Sequence, residues 1–203
     1  MERFADLTFS ISLASFLKIN GDTGLMNFFH GQFAAAVQKR YVGTARLLSQ
    51  AHADLARFYH NSADPAKDGS WSGGNDVRAV QQLPYHLVKA DMFVDLVGVL
   101  TDLTFIELKF AHGLGQDLIA DYNTATADGV RFDKIQQIRD LKTFVKANAH
   151  VLSDNPALTF QQAANQPDNT HTAKVFSLCF RFRFKIDVLI SLFLGCPRTA
   201  EGW

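Results

Sequence analysis

Hydrophobic residues recur every three or four positions along most of the chain, which is the spacing of one face of an α-helix. The clearest run covers residues 132–152, and Asp154-Asn155-Pro156 stops it. Residues 77–125 show the same spacing in four short segments with brief connections. Short connections favour antiparallel neighbours, so the pattern predicts a stack of helical hairpins. A further short helix is expected at residues 158–164.

A helical pattern also follows Thr44 and runs to about Tyr59, with the Thr44 hydroxyl able to cap the helix start. A Pro- and Gly-containing loop is expected at residues 61–76, with Trp71 as its anchor in the core. The apolar positions of the helix predict one buried stripe, formed by Leu47, Leu48, Ala51, Leu55, Phe58 and Tyr59.

The N-terminal part mixes helical and strand patterns. Apolar residues between positions 7 and 17 have helical spacing, and a second helix is predicted over residues 32–42. Between them, Asn20-Gly21 separates two apolar runs, which predicts a β-hairpin closed by a tight two-residue turn. Helix, hairpin and helix together indicate a partial winged-helix-like segment at residues 1–43.

The C-terminal tail departs from the helical pattern. Its aromatic residues alternate with basic ones, which is the period of a strand with one apolar and one solvated face. A platform for single-stranded nucleic acid is the alternative interpretation of this alternation. The candidate interaction residues are Phe180, Phe182 and Phe184, interleaved with Arg181, Arg183 and Lys185. The predicted organisation is therefore a winged-helix-like segment (1–43), a helical arm (44–170) and a phenylalanine-rich tail (171–203).

Composition narrows the class of protein. The 203 residues are 47% hydrophobic, enough for a substantial core, and 18 of them are Phe. Twenty Lys and Arg balance 20 Asp and Glu, which argues against general nucleic-acid binding. The two cysteines suit neither a disulfide framework nor a structural zinc site and fit a reducing cytosol. Residues 186–196 are too short to span a bilayer, so we expect a cytoplasmic protein without membrane contact.

Catalytic motifs are missing from the sequence. It contains no P-loop, no Gly-x-Ser-x-Gly elbow and no Gly-x-Gly-x-x-Gly turn. His52 and His60 lie two turns apart on one predicted helix, too far to chelate one ion together, and the histidines are expected to be structural. We predict no catalytic residue, cofactor or metal. Two alternatives stay open: a small metal-dependent enzyme using His52, His60, His112 and an Asp, and a winged-helix nucleic-acid module using Lys39-Arg40.

Four segments follow one another in a specific order: residues 24–41, 51–59, 78–122 and 144–167. The most specific begins Arg78-Ala79-Val80-Gln81-Gln82-Leu83-Pro84-Tyr85-His86-Leu87. Together they resemble the helical region of NACHT/NB-ARC-type signalling NTPases that carry WD repeats, of the telomerase-associated and apoptotic protease-activating factor types. In that family the region lies between the nucleotide-binding core and the WD-repeat propeller.

The resemblance implies a structural and coupling role. A winged helix would pack on the ATPase, and the helical arm would carry the propeller and relay its ligand binding. The sequence contains no ATPase core, so the resemblance implies no ATP hydrolysis here. We therefore expect a mainly α fold, with a partial winged helix followed by an array of helical hairpins. The expected function is a non-enzymatic regulatory or scaffold segment, with the NTPase core, the WD-repeat domain or sibling subunits as partners.

Overall fold

The computed structural model describes residues 17–19, 21, 26–28, 30–71, 76–127 and 130–177. Its fold is mainly α with one small two-stranded sheet among the described residues, which confirms the expected fold class. The chain divides into two compact units, Met1–Ala51 and His52–Trp203. Each is described by itself.

The first unit contains a strand pair and a helix. Strands β1 (Leu17–Ile19) and β2 (Met26–Phe28) are antiparallel, with Leu17 opposite Phe28. The hairpin is thereby confirmed, but Asn20-Gly21 is not the two-residue turn that closes it, since Ile19 pairs with Met26. Helix α1 (Gly31–Tyr41) follows, and its Phe33 ring meets the Phe28 ring edge-on at 5.4 Å. This contact packs β2 against α1.

Helix α2 (Ala45–Ala63) begins as predicted, with the Leu47 amide donating to the Thr44 hydroxyl over 3.3 Å. The predicted buried stripe is wrong except at Tyr59. Its large members Leu47, Leu48, Leu55 and Phe58 are 38–59% exposed, whereas the buried positions are Ala53, Ala56, Tyr59 and Ala63. Both sets recur at helical spacing, and the core accepts the face with small side chains because these let α2 approach closely. Hydrophobicity alone favoured the other face.

Trp71 anchors the loop after α2, as predicted. It is 5% exposed, and its ring centroid lies 4.8 Å from that of Phe105. A buried indole N–H needs an acceptor, and the Trp71 Nε1 donates to the Asp102 Oδ2 over 2.6 Å. The Asp102 Oδ1 accepts from the Thr104 amide over 2.8 Å. One carboxylate therefore fixes the loop and caps the helix that starts at Leu103.

The remaining helices form the core of the second unit. They are α3 (Val77–Lys89), α4 (Phe93–Leu100), α5 (Leu103–Ala111), α6 (Gly115–Ala125), α7 (Ile135–Asp154) and α8 (Thr159–Ala164), with a 3₁₀ turn at Pro156–Leu158. Residues 171–177 are also helical. The long helix α7 packs against α4, α5 and α6, and α3 packs against α4 and α6. The four short helices predicted in residues 77–125 and the long helix after them are confirmed.

The corrected orientation of α2 can be tested by substituting neighbouring residues. Ala56 is fully buried, so Ala56→Leu forces extra volume into the core and should lower the free energy of unfolding by about 1–3 kcal/mol. Leu55 is 41% exposed, so Leu55→Ala should change it by less than about 0.5 kcal/mol. Urea unfolding measures both. The reverse order of the two effects would favour the originally predicted stripe.

Candidate functional site

A buried ion pair lies at the centre of the second unit. Lys109, on α5, is fully buried, and its Nζ donates to the Asp121 Oδ2 on α6 over 2.8 Å. The same Nζ donates to the Gln81 carbonyl oxygen on α3 over 3.4 Å. Burial raises the pKa of the Asp121 carboxyl to about 6, although the neighbouring Lys109 lowers it. A charge removed from water needs both a counterion and hydrogen bonds, and here α6 and α3 supply them to a lysine on α5.

Two further hydrogen bonds strengthen this arrangement. The Gln81 Nε2 donates to the Asp117 Oδ1 over 3.4 Å, which adds a second link between α3 and α6. The Tyr122 hydroxyl is fully buried and donates to the Leu100 carbonyl oxygen over 2.7 Å, joining α6 to α4. Burial raises the pKa of Tyr122 accordingly. These polar groups link α3, α4, α5 and α6 to one another.

A histidine pair joins α2 to α3. The Nδ1 atoms of His52 and His86 lie 2.9 Å apart, so one ring donates and the other accepts. Tyr59 packs on the His86 ring at 5.4 Å, and Tyr85 meets the His52 ring at 5.9 Å. Burial lowers the pKa of both imidazoles, with Lys89 adding to the effect at His52. The pair is therefore neutral at physiological pH and holds the two helices together.

The structure does not bring the proposed metal ligands together. His52 pairs with His86, whereas His60 packs edge-on against Trp71 at 5.5 Å. Among the described residues, no group of three or more His, Cys, Asp or Glu could hold a metal ion. The hypothesis of a metal-dependent enzyme built on His52 and His60 is wrong for this part of the chain.

A basic cleft lies where α6 leads into α7. It encloses about 370 Å³ and is lined by Thr126, Ala127, Val130, Arg131, Phe132, Ile135 and Arg139. Just outside it, the Lys142 Nζ donates to the Thr126 hydroxyl over 2.8 Å. Burial lowers the pKa of Lys142, and the charges of Lys146 and Arg139 lower it further. Positive charge therefore accumulates at this cleft.

The first unit has an apolar groove of its own. It also encloses about 370 Å³, and Phe28, Phe33 and Tyr41 provide most of its aromatic surface. Leu17, Ala36, Val37 and Arg40 complete its lining. The groove lies between the strand pair and α1, within the segment predicted to resemble a winged helix.

The predicted interaction residues Phe180, Phe182 and Phe184 lie outside the described residues. None of the helices in the described ranges is long and apolar enough to cross a membrane. Sequence reasoning missed the Lys109–Asp121 pair, the His52–His86 pair and the basic cleft. A lysine between Leu108 and Phe110 was a usable signal for the first, since a charge inside an apolar helix requires a partner. The partners themselves are remote in sequence.

The geometry defines a helical domain whose buried polar groups hold its helices together. The family model of the APAF-1 helical domain matches residues 48–176, and the chain belongs to this family. The resemblance to the helical region of apoptotic protease-activating factor and telomerase-associated proteins is thereby confirmed.

Individual relatives agree with this assignment. Telomerase protein component 1 of Rattus norvegicus is 28% identical over 143 residues, which covers 69% of this chain and 5% of that protein. The Mus musculus protein of the same name is 26% identical over 143 residues, with the same coverage. A TPR repeat-containing protein of Dictyostelium discoideum is 26% identical over 105 residues, covering 52% of this chain and 6% of its own length. The chain thus spans about one-twentieth of these relatives. No solved structure matches significantly.

Removing one partner of the buried ion pair should be costly. Asp121→Leu leaves the Lys109 ammonium buried without its counterion and should lower the free energy of unfolding by about 3–5 kcal/mol. The double variant Lys109→Met with Asp121→Leu removes both charges and should recover most of that loss. Urea unfolding of the two single variants and the double variant measures the coupling. Additive losses would show that the two charges do not interact in the core.

Acidification should destabilise the domain through the histidine pair. Because burial lowers the pKa of His52 and His86 below 6.5, the unfolded chain binds more protons than the folded one near that pH. Their contribution to stability is therefore complete above that value and declines as the pH falls through it. Asp121 acts in the opposite direction. Its pKa is raised in the folded state, so protonation of its carboxyl stabilises the folded state relative to the unfolded one.

A comparison of variants isolates the histidines. Unfolding free energies of the wild type and of His52→Gln with His86→Gln should be measured between about pH 7.5 and 5.5. The double variant should lose less stability on acidification, because it lacks both imidazoles. His150→Gln, at an exposed position on α7, should retain the wild-type pH dependence. Equal pH dependence in the wild type and the double variant would contradict the role of the pair.

Proposed function

We propose that this chain is a non-enzymatic regulatory or scaffold segment of a NACHT–WD-repeat-type signalling NTPase. In this proposal it acts in the cytoplasm and couples a nucleotide-binding core to a sensor domain through protein–protein contacts. The match of residues 48–176 to the APAF-1 helical domain is the observation that carries the proposal. The chain spans 5% of each telomerase relative, which fits a segment of a much larger protein.

The exposed face of α2 supports protein binding. Leu55 and Phe58 are 41% and 59% exposed and lie one turn apart on this helix. Neighbouring exposed apolar side chains mark interaction sites more often than isolated exposed leucines do. Polar residues such as Lys109, Asp121 and Tyr122, in contrast, are engaged in bonds between helices.

The predicted organisation gives each segment a role within this proposal. Residues 1–43 would form the remnant of a winged helix, and their strand pair, α1 and apolar groove suit packing against a nucleotide-binding core. Residues 44–170 would form the arm that carries the sensor. Residues 171–203, with Phe180, Phe182 and Phe184, would supply a further surface for a partner or a sibling subunit.

The α2 face gives a direct test. The full chain should be co-expressed with a NACHT-type core and, separately, with a WD-repeat propeller of a signalling NTPase of this class. We expect a complex with at least one of them, detected by size-exclusion chromatography and quantified by titration calorimetry. Leu55→Asp with Phe58→Asp should weaken it at least about tenfold, because charges would replace buried apolar contacts.

A matched control adds charge elsewhere on the same helix. Asn61→Asp adds a negative charge at an exposed polar position and should leave the affinity within about twofold of the wild type. The purified chain should show no ATP turnover above buffer. Saturable ATP hydrolysis by the isolated chain, or failure to form a complex with either domain, would overturn the proposal.

A further inference from the structure

We propose that the basic cleft between α6 and α7 binds an acidic segment of a partner protein, with carboxylates of that segment on Arg131 and Arg139. The inference rests on the proposed coupling function and adds the chemistry of one partner to it. The cleft is a separate surface from the exposed face of α2, so the two can be tested independently.

Uncompensated positive charge is the first argument. Residues 126–146 contain five basic and three acidic side chains. No carboxylate lines the cleft among the described residues, and neither Arg131 nor Arg139 forms an ion pair with a described carboxylate. Asp140, one of the three acids, accepts a hydrogen bond from the Gln136 Nε2 over 2.9 Å. An incoming carboxylate would therefore meet arginines that no described carboxylate already neutralises, and it could bind them in a bidentate manner.

The shape of the cleft is the second argument. One side of it is held in place, because the Phe132 ring stacks on Phe93 with centroids 4.9 Å apart and planes at 9°. Lys142 is held at the rim by its bond to Thr126. Val130, Phe132 and Ile135 provide apolar lining between the two arginines. This combination suits a peptide in which an apolar side chain lies between acidic ones.

A partner protein fits better than nucleic acid. The whole chain has no net charge, and two cations, Arg131 and Arg139, line the cleft, whereas nucleic-acid sites usually present an extended basic stripe. The Phe132 ring is engaged with Phe93, so that face cannot stack on a base.

A second copy of this chain is also a poorer fit, although residues 54–121 contain ten acidic side chains against five basic ones. Many of those carboxylates already have partners in their own molecule. Asp54 pairs with Arg57, Asp121 pairs with Lys109, and Asp102 accepts from Trp71. Asp64 accepts from the Gly69 amide, and Asp76 caps α3 through the Ala79 amide. The acidic segment is therefore expected from another protein.

The experiment measures binding of a short fluorescein-labelled peptide, in which Glu residues flank a central Leu, to the full chain by fluorescence anisotropy. We expect saturable binding that weakens as salt is added. Arg131→Gln with Arg139→Gln should weaken it at least about tenfold. Arg78→Gln with Lys174→Gln removes the same charge from exposed positions outside the cleft and should change affinity less than about twofold. Thermal unfolding checks that both double variants are folded.

Three results would overturn the proposal. The first is equal affinity for a peptide with Gln in place of Glu, and the second is unchanged binding after Arg131→Gln with Arg139→Gln. The third is tighter binding of a thymidine oligonucleotide than of the peptide, measured by competition, or self-association through the cleft, measured by sedimentation of the wild type and the same variants. Absence of peptide binding by the wild-type chain, with retained complex formation by the α2 face, would overturn only the cleft assignment. Retained peptide binding with no such complex would overturn the coupling proposal instead.

Discussion

Lys109 places its ammonium group in the core of the second unit, where Asp121 is the carboxylate that neutralises it. Hydrophobic side chains can pack in several arrangements of similar free energy. A buried charge is tolerated only where a counterion and hydrogen-bond acceptors lie within bonding distance. Because these groups come from α3, α5 and α6, the pair selects one mutual arrangement of those helices. The apolar core then fills the space that this arrangement leaves.

Hydrogen bonds between side chains likewise attach the elements around this core. The His52–His86 pair joins α2 to α3, and the Trp71–Asp102 bond holds the loop between them on the start of α5. Asp102 has a double role, since losing it would remove both the acceptor for the indole and the cap of α5. Polar contacts between elements thus define where α2 and its loop sit, while alanines on the buried face of α2 let it approach closely.

Local features of this fold could be predicted from the sequence, and long-range pairings could not. The spacing of apolar residues located α3 to α7, and Thr44 and Trp71 were recognised because a cap and a loop anchor depend on their immediate neighbours. The inward face of α2 was predicted wrongly because two faces carry apolar residues, and the choice depends on the volume available opposite Ala56. Similarly, Lys109 with Asp121 and His52 with His86 are brought together only by the packing of separate helices. No spacing rule within one helix contains that information.

The distribution of charge follows from this use of polar groups. Several carboxylates of the second unit have partners within the molecule, as helix caps, loop acceptors and the counterion of Lys109. On α7, Lys142 donates to Thr126, whereas Arg139 is exposed and pairs with no described carboxylate. A chain with no net charge can therefore present a locally basic surface where its arginines are not paired within the molecule. The net charge of a protein bears on its solubility. Which charged partner a neutral protein can bind depends on which of its own charges are already paired within the fold.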